Sequence, residues 1–185
     1  MNKYVAFLRA INVAGHASVR MSDLKDTFAA AGCKGVGTFI QSGNVIFEVP
    51  EEKAPVVFKR IRIKLRGLLG DEPAVMFRTV REVKRIVKGA HFKKFEAEPN
   101  TKLYVTFLSQ KPQSQPRFPL LLPKEALEAI AMKNLEVFIV SRRKKNGFYG
   151  FPNNFIEKEL GVSATSRNWS TLTKLVEFAR KEPAG

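Results

Sequence analysis

The ten residues Thr38–Phe47, TFIQSGNVIF, constrain this chain more than any other stretch. Two runs of β-branched and aromatic residues flank Gln41-Ser42-Gly43-Asn44, whose small and polar side chains suit a tight reversal. The segment predicts the central hairpin of a first domain, with strands over 36–41 and 44–49 and a polar turn on one sheet edge.

The flanking sequence supplies the rest of that domain. Residues 3–10, KYVAFLRA, alternate as a strand. Ser22 and Asp23 are placed to open a helix with Leu24, Phe28 and Ala31 on its apolar face and Gly32 at its end. Pro55 suits the first turn of a second helix, 56–69, with Val57, Ile61, Leu65 and Leu68 on one face. A strand over 74–78 completes the order β-α-β-β-α-β, the ferredoxin-like split unit with right-handed crossovers.

A second unit follows. Thr79 and Glu82 have capping-box spacing, ahead of Val80, Val83, Ile86 and Val87. Then come a strand over 102–108, a Ser/Gln/Pro-rich loop over 109–119, a short helix over 123–131 and a strand over 135–140. A basic turn over 142–147 leads into a strand over 148–151, followed by a helix over 153–160 that Gly161 closes. A last helix covers 169–180, with Trp169, Leu172, Val176 and Ala179 on one face. The expected fold is therefore α+β: two ferredoxin-like (α/β plait) units, 1–78 and 79–185, each an antiparallel sheet with helices on one face. Strands one and three carry apolar side chains on both faces (Val5, Ala6, Phe7, Leu8, Val45, Ile46). Two helices cover only one face, so the second domain is expected to cover the other.

Composition narrows the partners. Hydrophobic residues make up 44% of the 185, enough for a core, and no apolar run approaches the roughly 20 residues of a membrane span. Arg9 interrupts the short N-terminal apolar run, and no small-residue cleavage site follows, so that run reads as strand rather than signal peptide. Cys33 is the sole cysteine, which excludes an internal disulfide and points to a reducing compartment, the cytoplasm by default. The net charge of +15 favours contact with polyanions, or else a solvated basic surface that keeps the protein soluble.

In the expected topology the end of strand one meets the start of strand three. Arg9, Asn12, Gln41, Ser42 and Asn44 then form a polar cluster of one cation and several neutral hydrogen-bonding groups, suited to a carboxylate or phosphate. Asparagines at turns also hydrogen-bond loop backbone, and Arg9 can pair with a nearby carboxylate. Near the C-terminus, Arg167 stands just outside a helix that Asn168 or Ser170 can cap, an end attractive to anions. Trp169 reads as a core anchor. His16 and His91 have no partner at metal-ligand spacing, so no metal is expected. No Walker A, dinucleotide or nucleophile-elbow pattern occurs, no cofactor is implied, and no general base or nucleophile is visible, so no catalytic residue is assigned.

At Leu8-Arg9-Ala10-Ile11-Asn12-Val13, Gln41-Ser42-Gly43-Asn44-Val45-Ile46-Phe47 and Thr165-Ser166-Arg167-Asn168-Trp169-Ser170-Thr171 the chain resembles the bacterial domain-of-unknown-function family 1697. The resemblance spans nearly the whole chain and implies two ferredoxin-like halves and no established activity. It raises Arg9, Asn12, Ser42, Asn44, Arg167 and Asn168 as a set. Ala10 and Ala14 stand where the pattern has glycines, so their methyls can narrow a pocket that glycines would open. Gly150-Phe151-Pro152 replaces an expected Ser-Lys pair.

Four functions follow as expectations. The first is a non-catalytic module binding a small anionic ligand, phosphate or nucleotide-like, at Arg9, Asn12, Gln41, Ser42 and Asn44, joined by Arg167 and Asn168. The second is a nucleic-acid-binding protein acting through Lys59, Arg62, Arg66, Arg81, Lys84, Arg85, Lys88 and Arg142-Arg143-Lys144-Lys145. Its third strand, NVIFEV, lacks the glycine-aromatic character of RNA-recognition strands. The third, ranked below both, is an enzyme using the same polar cluster, for which no general base is visible, and the fourth is a structural or protein-interaction role.

Overall fold

The structure, a computed structural model, describes residues 1–9, 11, 19–70, 73–113 and 116–181. Over these residues it is a mixed α/β fold with two antiparallel sheets, of four and five strands, and five α-helices. The chain divides into two compact units, Met1–Ile86 with Lys174–Gly185, and Val87–Thr173.

The first unit runs β1 (Asn2–Leu8), α1 (Met21–Ala30), β2 (Lys34–Phe39), β3 (Asn44–Val49), α2 (Ala54–Leu69) and β4 (Val75–Thr79), with strand order β2-β3-β1-β4. Alternation along β1 and β3 puts Tyr4, Ala6, Leu8, Val45 and Phe47 on one face. There they pack with Leu24 and Phe28 of α1 and Val57, Ile61 and Leu65 of α2. Leu68, expected on this face, is exposed, because a four-residue step from Leu65 brings Leu69 inward instead. Nor do Ser22 and Asp23 cap α1. The helix already begins at Met21, and Asp23 sits in its first turn, accepting from Arg20 Nε at 2.9 Å and facing the positive end of the dipole.

The opposite face of the sheet carries Val5, Phe7, Ile46 and Met76, all buried, and a Lys3–Glu48 ion pair at 3.3 Å. Within the same unit the last turns of α5 (Trp169–Lys181) reach this face. The Phe178 ring lies 5.2 Å from that of Phe39, and Lys3 Nζ donates to the Ala179 carbonyl. β4 passes directly into α3 (Val80–Lys88) through the predicted capping box. Thr79 Oγ1 accepts from the Glu82 amide at 3.1 Å, and Glu82 Oε2 accepts from the Thr79 amide at 2.7 Å and the Thr79 hydroxyl at 2.8 Å.

The second unit holds β5 (Thr101–Leu108), β6 (Leu120–Leu122), β7 (Leu127–Lys133), β8 (Glu136–Arg142), α4 (Asn153–Leu160) and β9 (Ala164–Asn168), with strand order β6-β7-β8-β5-β9. Tyr104, Leu108, Leu127, Val137, Ile139 and Ala164 pack against Phe155, Ile156 and Leu160 of α4.

Three local expectations are corrected here. The helix over 123–131 is instead a 3-10 turn, Pro123–Glu125, followed by β7. Leu-Glu-Ala-Ile-Ala-Met-Lys has good helix formers, but Ala126 takes a left-handed φ of 53° that breaks the helix, and pairing with β6 and β8 overrides propensity. The strand over 148–151 reduces to one bridge, Arg143–Tyr149. Residues 165–168, read as the approach to a helix, form most of β9, whose Thr165 and Arg167 alternate with Ser166 and Asn168 across the sheet.

Candidate functional site

The β2–β3 turn is built to one shape. The Leu8 amide donates to the Gly43 carbonyl at 2.9 Å, and one residue later the Arg9 amide donates to Ala74 at 3.0 Å, so Arg9 leaves β1 beside the turn. Gly43 has φ +73°, and a Cβ there would sit 2.8 Å from Ile11 side-chain carbons; only glycine fits. Ile40 takes φ +51°, an uncommon backbone for a β-branched residue. Gln41 and Ser42 project at the surface, whereas Asn44 is fully buried and its Nδ2 donates to the Phe39 carbonyl at 3.0 Å and Ser42 Oγ at 2.9 Å. The first unit thus brings Arg9, Gln41 and Ser42 to one edge, with the Asn44 amide turned into the hairpin itself. Asn12, Ala10 and Ala14 lie outside the described residues.

Arg167 and Asn168 belong to the second unit. Arg167 lies opposite Val105 in the sheet and is buried; its Nη1 donates to Thr165 Oγ1 and to the Ser166 carbonyl, each at 2.9 Å. Burial pushes its guanidinium down to about 9, still protonated at neutral pH. Asn168 caps α5: its Oδ1 accepts from the Ser170 amide at 3.0 Å and the Ser170 hydroxyl at 2.7 Å. Trp169, at the start of that helix, is half-buried with its ring edge-on to Phe92.

Sequence reasoning missed Arg78. It lies opposite Val5 in the first sheet as Arg167 lies opposite Val105 in the second. Both arginines are buried, both donate Nη1 to the carbonyl of the preceding residue (Phe77 at 2.8 Å for Arg78), and each precedes a capping residue that opens a helix. The capping box at Thr79–Glu82 was the available signal, since it fixes where β4 ends and so which residue stands one step before.

The basic residues divide by environment. In α2 the buried stripe Val57, Ile61, Leu65 leaves Lys59, Arg60, Lys64 and Arg66 exposed, with Arg62 half-buried over the Phe77 ring at 5.1 Å, and the helix contains no carboxylate. In α3, Arg81, Arg85 and Lys88 are exposed and Lys84 is half-buried. Arg142 is held between Glu98 at 2.9 Å and Glu128 at 2.8 Å, which raise its pKa, and Lys144 pairs with Glu125 at 2.8 Å. Arg143 and Lys145 are exposed. The excess charge is spread over the chain: eighteen Lys/Arg against ten Asp/Glu in the first unit, fourteen against seven in the second.

Among the described residues no group of three His, Cys, Asp or Glu side chains is placed to hold a metal ion. Burial pushes the Cys33 thiol up to about 12, which removes it as a nucleophile at neutral pH. His91 stacks on the Phe138 ring at 3.8 Å, and burial together with Lys133 lowers its pKa. No helix among the described residues is long and apolar enough to cross a membrane.

The fold defines a two-unit α/β protein with Arg78 and Arg167 buried in its sheets. The chain belongs to the family described as "Protein of unknown function (DUF1697)", whose profile matches residues 1–138. It matches none of the curated proteins. Among solved structures it is similar to the conserved bacterial protein SP0830 from Streptococcus pneumoniae, at 17% identity and a TM-score of 0.64, covering 98% of this chain and 99% of that one. At that identity the likeness shows the fold alone.

Proposed function

We propose that this protein binds the phosphate backbone of nucleic acid through exposed cations, with α2 as the principal contact in the first unit. The observation that carries this reading is the composition of α2. Four exposed cations and a fifth over an aromatic ring share a helix without a carboxylate, and no ion pair offsets them within it. Phosphate contact of this kind needs no base-reading motif, and its signature is salt dependence. The test is fluorescence anisotropy with labelled single-stranded RNA and duplex DNA over a salt series. Binding should weaken linearly in log–log form, with each phosphate contributing about 0.7–0.9 to the slope, and Lys59→Glu/Arg66→Glu should reduce that slope. No binding at low salt sinks the reading and leaves the charge as a solubility feature.

A second reading, a small phosphate-like anion at Arg9, Gln41 and Ser42, is favoured by the left-handed Ile40 backbone beside them, since strain persists where surrounding structure over-determines it, often at ligand sites. In this reading Asn44 positions the turn and does not meet the ligand. Thermal-shift measurements with inorganic phosphate on the native protein and on Arg9→Ala/Ser42→Ala decide it; equal shifts in both exclude the site.

For the fold, we infer that each unit is a ferredoxin-like plait. The order β1-α1-β2-β3-α2-β4 with sheet order β2-β3-β1-β4 supports this for the first unit. In the second unit β7-β8-β5-β9 repeats that sheet order, with β6 and a 3-10 turn where a first helix would stand.

A further inference from the structure

We propose that the tip between β8 and α4, residues 143–151, is a stacking platform for single-stranded nucleic acid. Phe148 and Phe151 receive bases, and Lys102, Arg143 and Lys145 receive the adjoining phosphates. The inference rests on the nucleic-acid reading above and adds the form of the ligand and its second contact.

The first observation is exposure. Phe148 is 71% and Phe151 56% exposed, in a protein whose other large aromatics include six fully buried phenylalanines. Two phenyl rings more than half in water within four residues forgo much of the stabilisation that burial would bring. Charge is the second. Residues 142–151, RRKKNGFYGF, contain four cations and no carboxylate. Arg142 and Lys144 are engaged by glutamates behind the tip, while Arg143, Lys145 and Lys102 of β5 are exposed.

The third observation is that the backbone is fixed. The Lys144 amide donates to the Phe148 carbonyl at 2.8 Å, the Gly147 amide to Lys144 at 2.9 Å, and the Phe148 amide to Asn146 Oδ1 at 3.1 Å. Gly150 is clamped: Ser141 Oγ donates to its carbonyl at 2.9 Å, and a Cβ on it would lie within 2.3 Å of the Glu125 carbonyl oxygen. Beyond that clamp the rings step along β5. Lys102 Nζ sits 4.4 Å over the Tyr149 ring, and Phe151 meets Tyr104, two residues further on the same face, edge-on at 5.7 Å. A tip whose backbone is fixed this way, with the Phe151 ring seated on Tyr104, loses little entropy when a base stacks on it.

Exposed rings beside exposed cations are what sequence-tolerant single-strand binders present, because every unpaired base offers a π-face and duplex bases do not. A duplex can satisfy the cations but not the rings. Single-strand preference is therefore the property the tip should confer.

The test compares fluorescein-labelled 12-mer poly-U RNA with a 12-base-pair DNA duplex at one low salt concentration. The full chain is measured as native protein, as Phe148→Ala and as Phe148→Ala/Phe151→Leu, with circular dichroism confirming that each variant is folded. The expected result is at least a tenfold loss of single-strand affinity in the double variant, an intermediate loss in Phe148→Ala, and less than a twofold change for duplex. Unchanged single-strand affinity, or equal losses for both ligands, overturns the platform and leaves the phosphate reading standing. Failure of the native protein to bind either ligand removes both. Binding only to vesicles of one part phosphatidylserine to four parts phosphatidylcholine, lost in the double variant, reassigns the tip to a membrane surface and also overturns the proposal.

Discussion

Asn44 and Phe39 face each other across the β2–β3 ladder, and Asn44 Nδ2 closes the hairpin by donating to the Phe39 carbonyl at 3.0 Å. The same amide holds Ser42 Oγ at 2.9 Å, so one fully buried side chain fixes both the start and the apex of the turn. Replacing it with alanine leaves a half-buried carbonyl without that donor. Asn44→Ala should therefore lose about 1–3 kcal/mol, read as a lower urea midpoint at unchanged slope. Asn44→Asp should lose more, because a carboxylate presents only acceptors to the Phe39 oxygen. A midpoint like that of the native protein would mean that water replaces the amide.

The two left-handed positions of this turn predict opposite outcomes. At Gly43, φ +73° combines with a Cβ position 2.8 Å from Ile11, so Gly43→Ala meets both backbone strain and a clash. A loss of about 2 kcal/mol or more is expected from the two effects together. At Ile40, φ +51° is adopted by a β-branched side chain that is 51% exposed. Ile40→Asn keeps the left-handed backbone at lower steric cost without glycine's extra chain entropy, and should raise stability by several tenths of a kcal/mol. Thermal melts of the pair give the signs directly. A destabilised Ile40→Asn would mean the isoleucine side chain contributes more where it lies than its backbone costs.

What was legible in the sequence divides along physical lines. The hairpin, the two long helices and the capping box were readable because their signals are local: turn chemistry at 41–44, a four-residue apolar step in α2, and Thr79–Glu82 spacing. β7 was not, because Leu127–Lys133 is made of helix formers, and only pairing with β6 and β8 holds it extended. β9 was hidden for a related reason. Thr165, Ser166 and Arg167 are polar in sequence yet buried, and Thr106 Oγ1 lies 2.7 Å from Ser166 Oγ across strands, a pairing visible only in three dimensions. For the candidate site, sequence placed Arg9 beside the turn and left Asn44 open between a ligand contact and a bond to loop backbone, and the bond to the Phe39 carbonyl is the one that forms. Burial, not residue type, assigns that amide to the hairpin. Gly150 looked like a departure from the resembled pattern; its contact with Glu125 accounts for glycine there.

The reciprocal bonds between Thr79 and Glu82 make a prediction with a built-in control. Thr79→Ala removes the oxygen that accepts from the Glu82 amide and should cost about 1 kcal/mol of stability; Glu82→Gln can still accept from Thr79 and should cost less. Because the two side chains act as one unit, the double variant Thr79→Ala/Glu82→Ala should lose less than the sum of the Thr79→Ala and Glu82→Ala single variants. Urea unfolding of the four proteins of this cycle measures the coupling. Strict additivity would show that the two bonds stabilise the strand-to-helix junction independently.

Cys33 follows the end of α1, buried in the first unit's hydrophobic core, and its thiol is pushed from an ordinary 9.0 up to about 12 by that burial. Because the folded pKa is the higher one, the folded state retains the proton between pH 9 and 12 while the unfolded chain loses it. The stabilisation from burying a neutral thiol is thus complete below pH 9 and declines as pH rises through that window. Two measurements follow. Iodoacetamide at pH 9 should label the native protein several hundredfold more slowly than the urea-unfolded chain, from thiolate fraction alone. The fall in urea midpoint between pH 9 and 10.5 should also be shallower in Cys33→Ala than in the native protein, since alanine removes this titration and leaves every lysine and tyrosine in place. Equal labelling rates would place the thiol in contact with solvent and a neighbouring cation, and identical pH slopes would assign the alkaline decline to other groups.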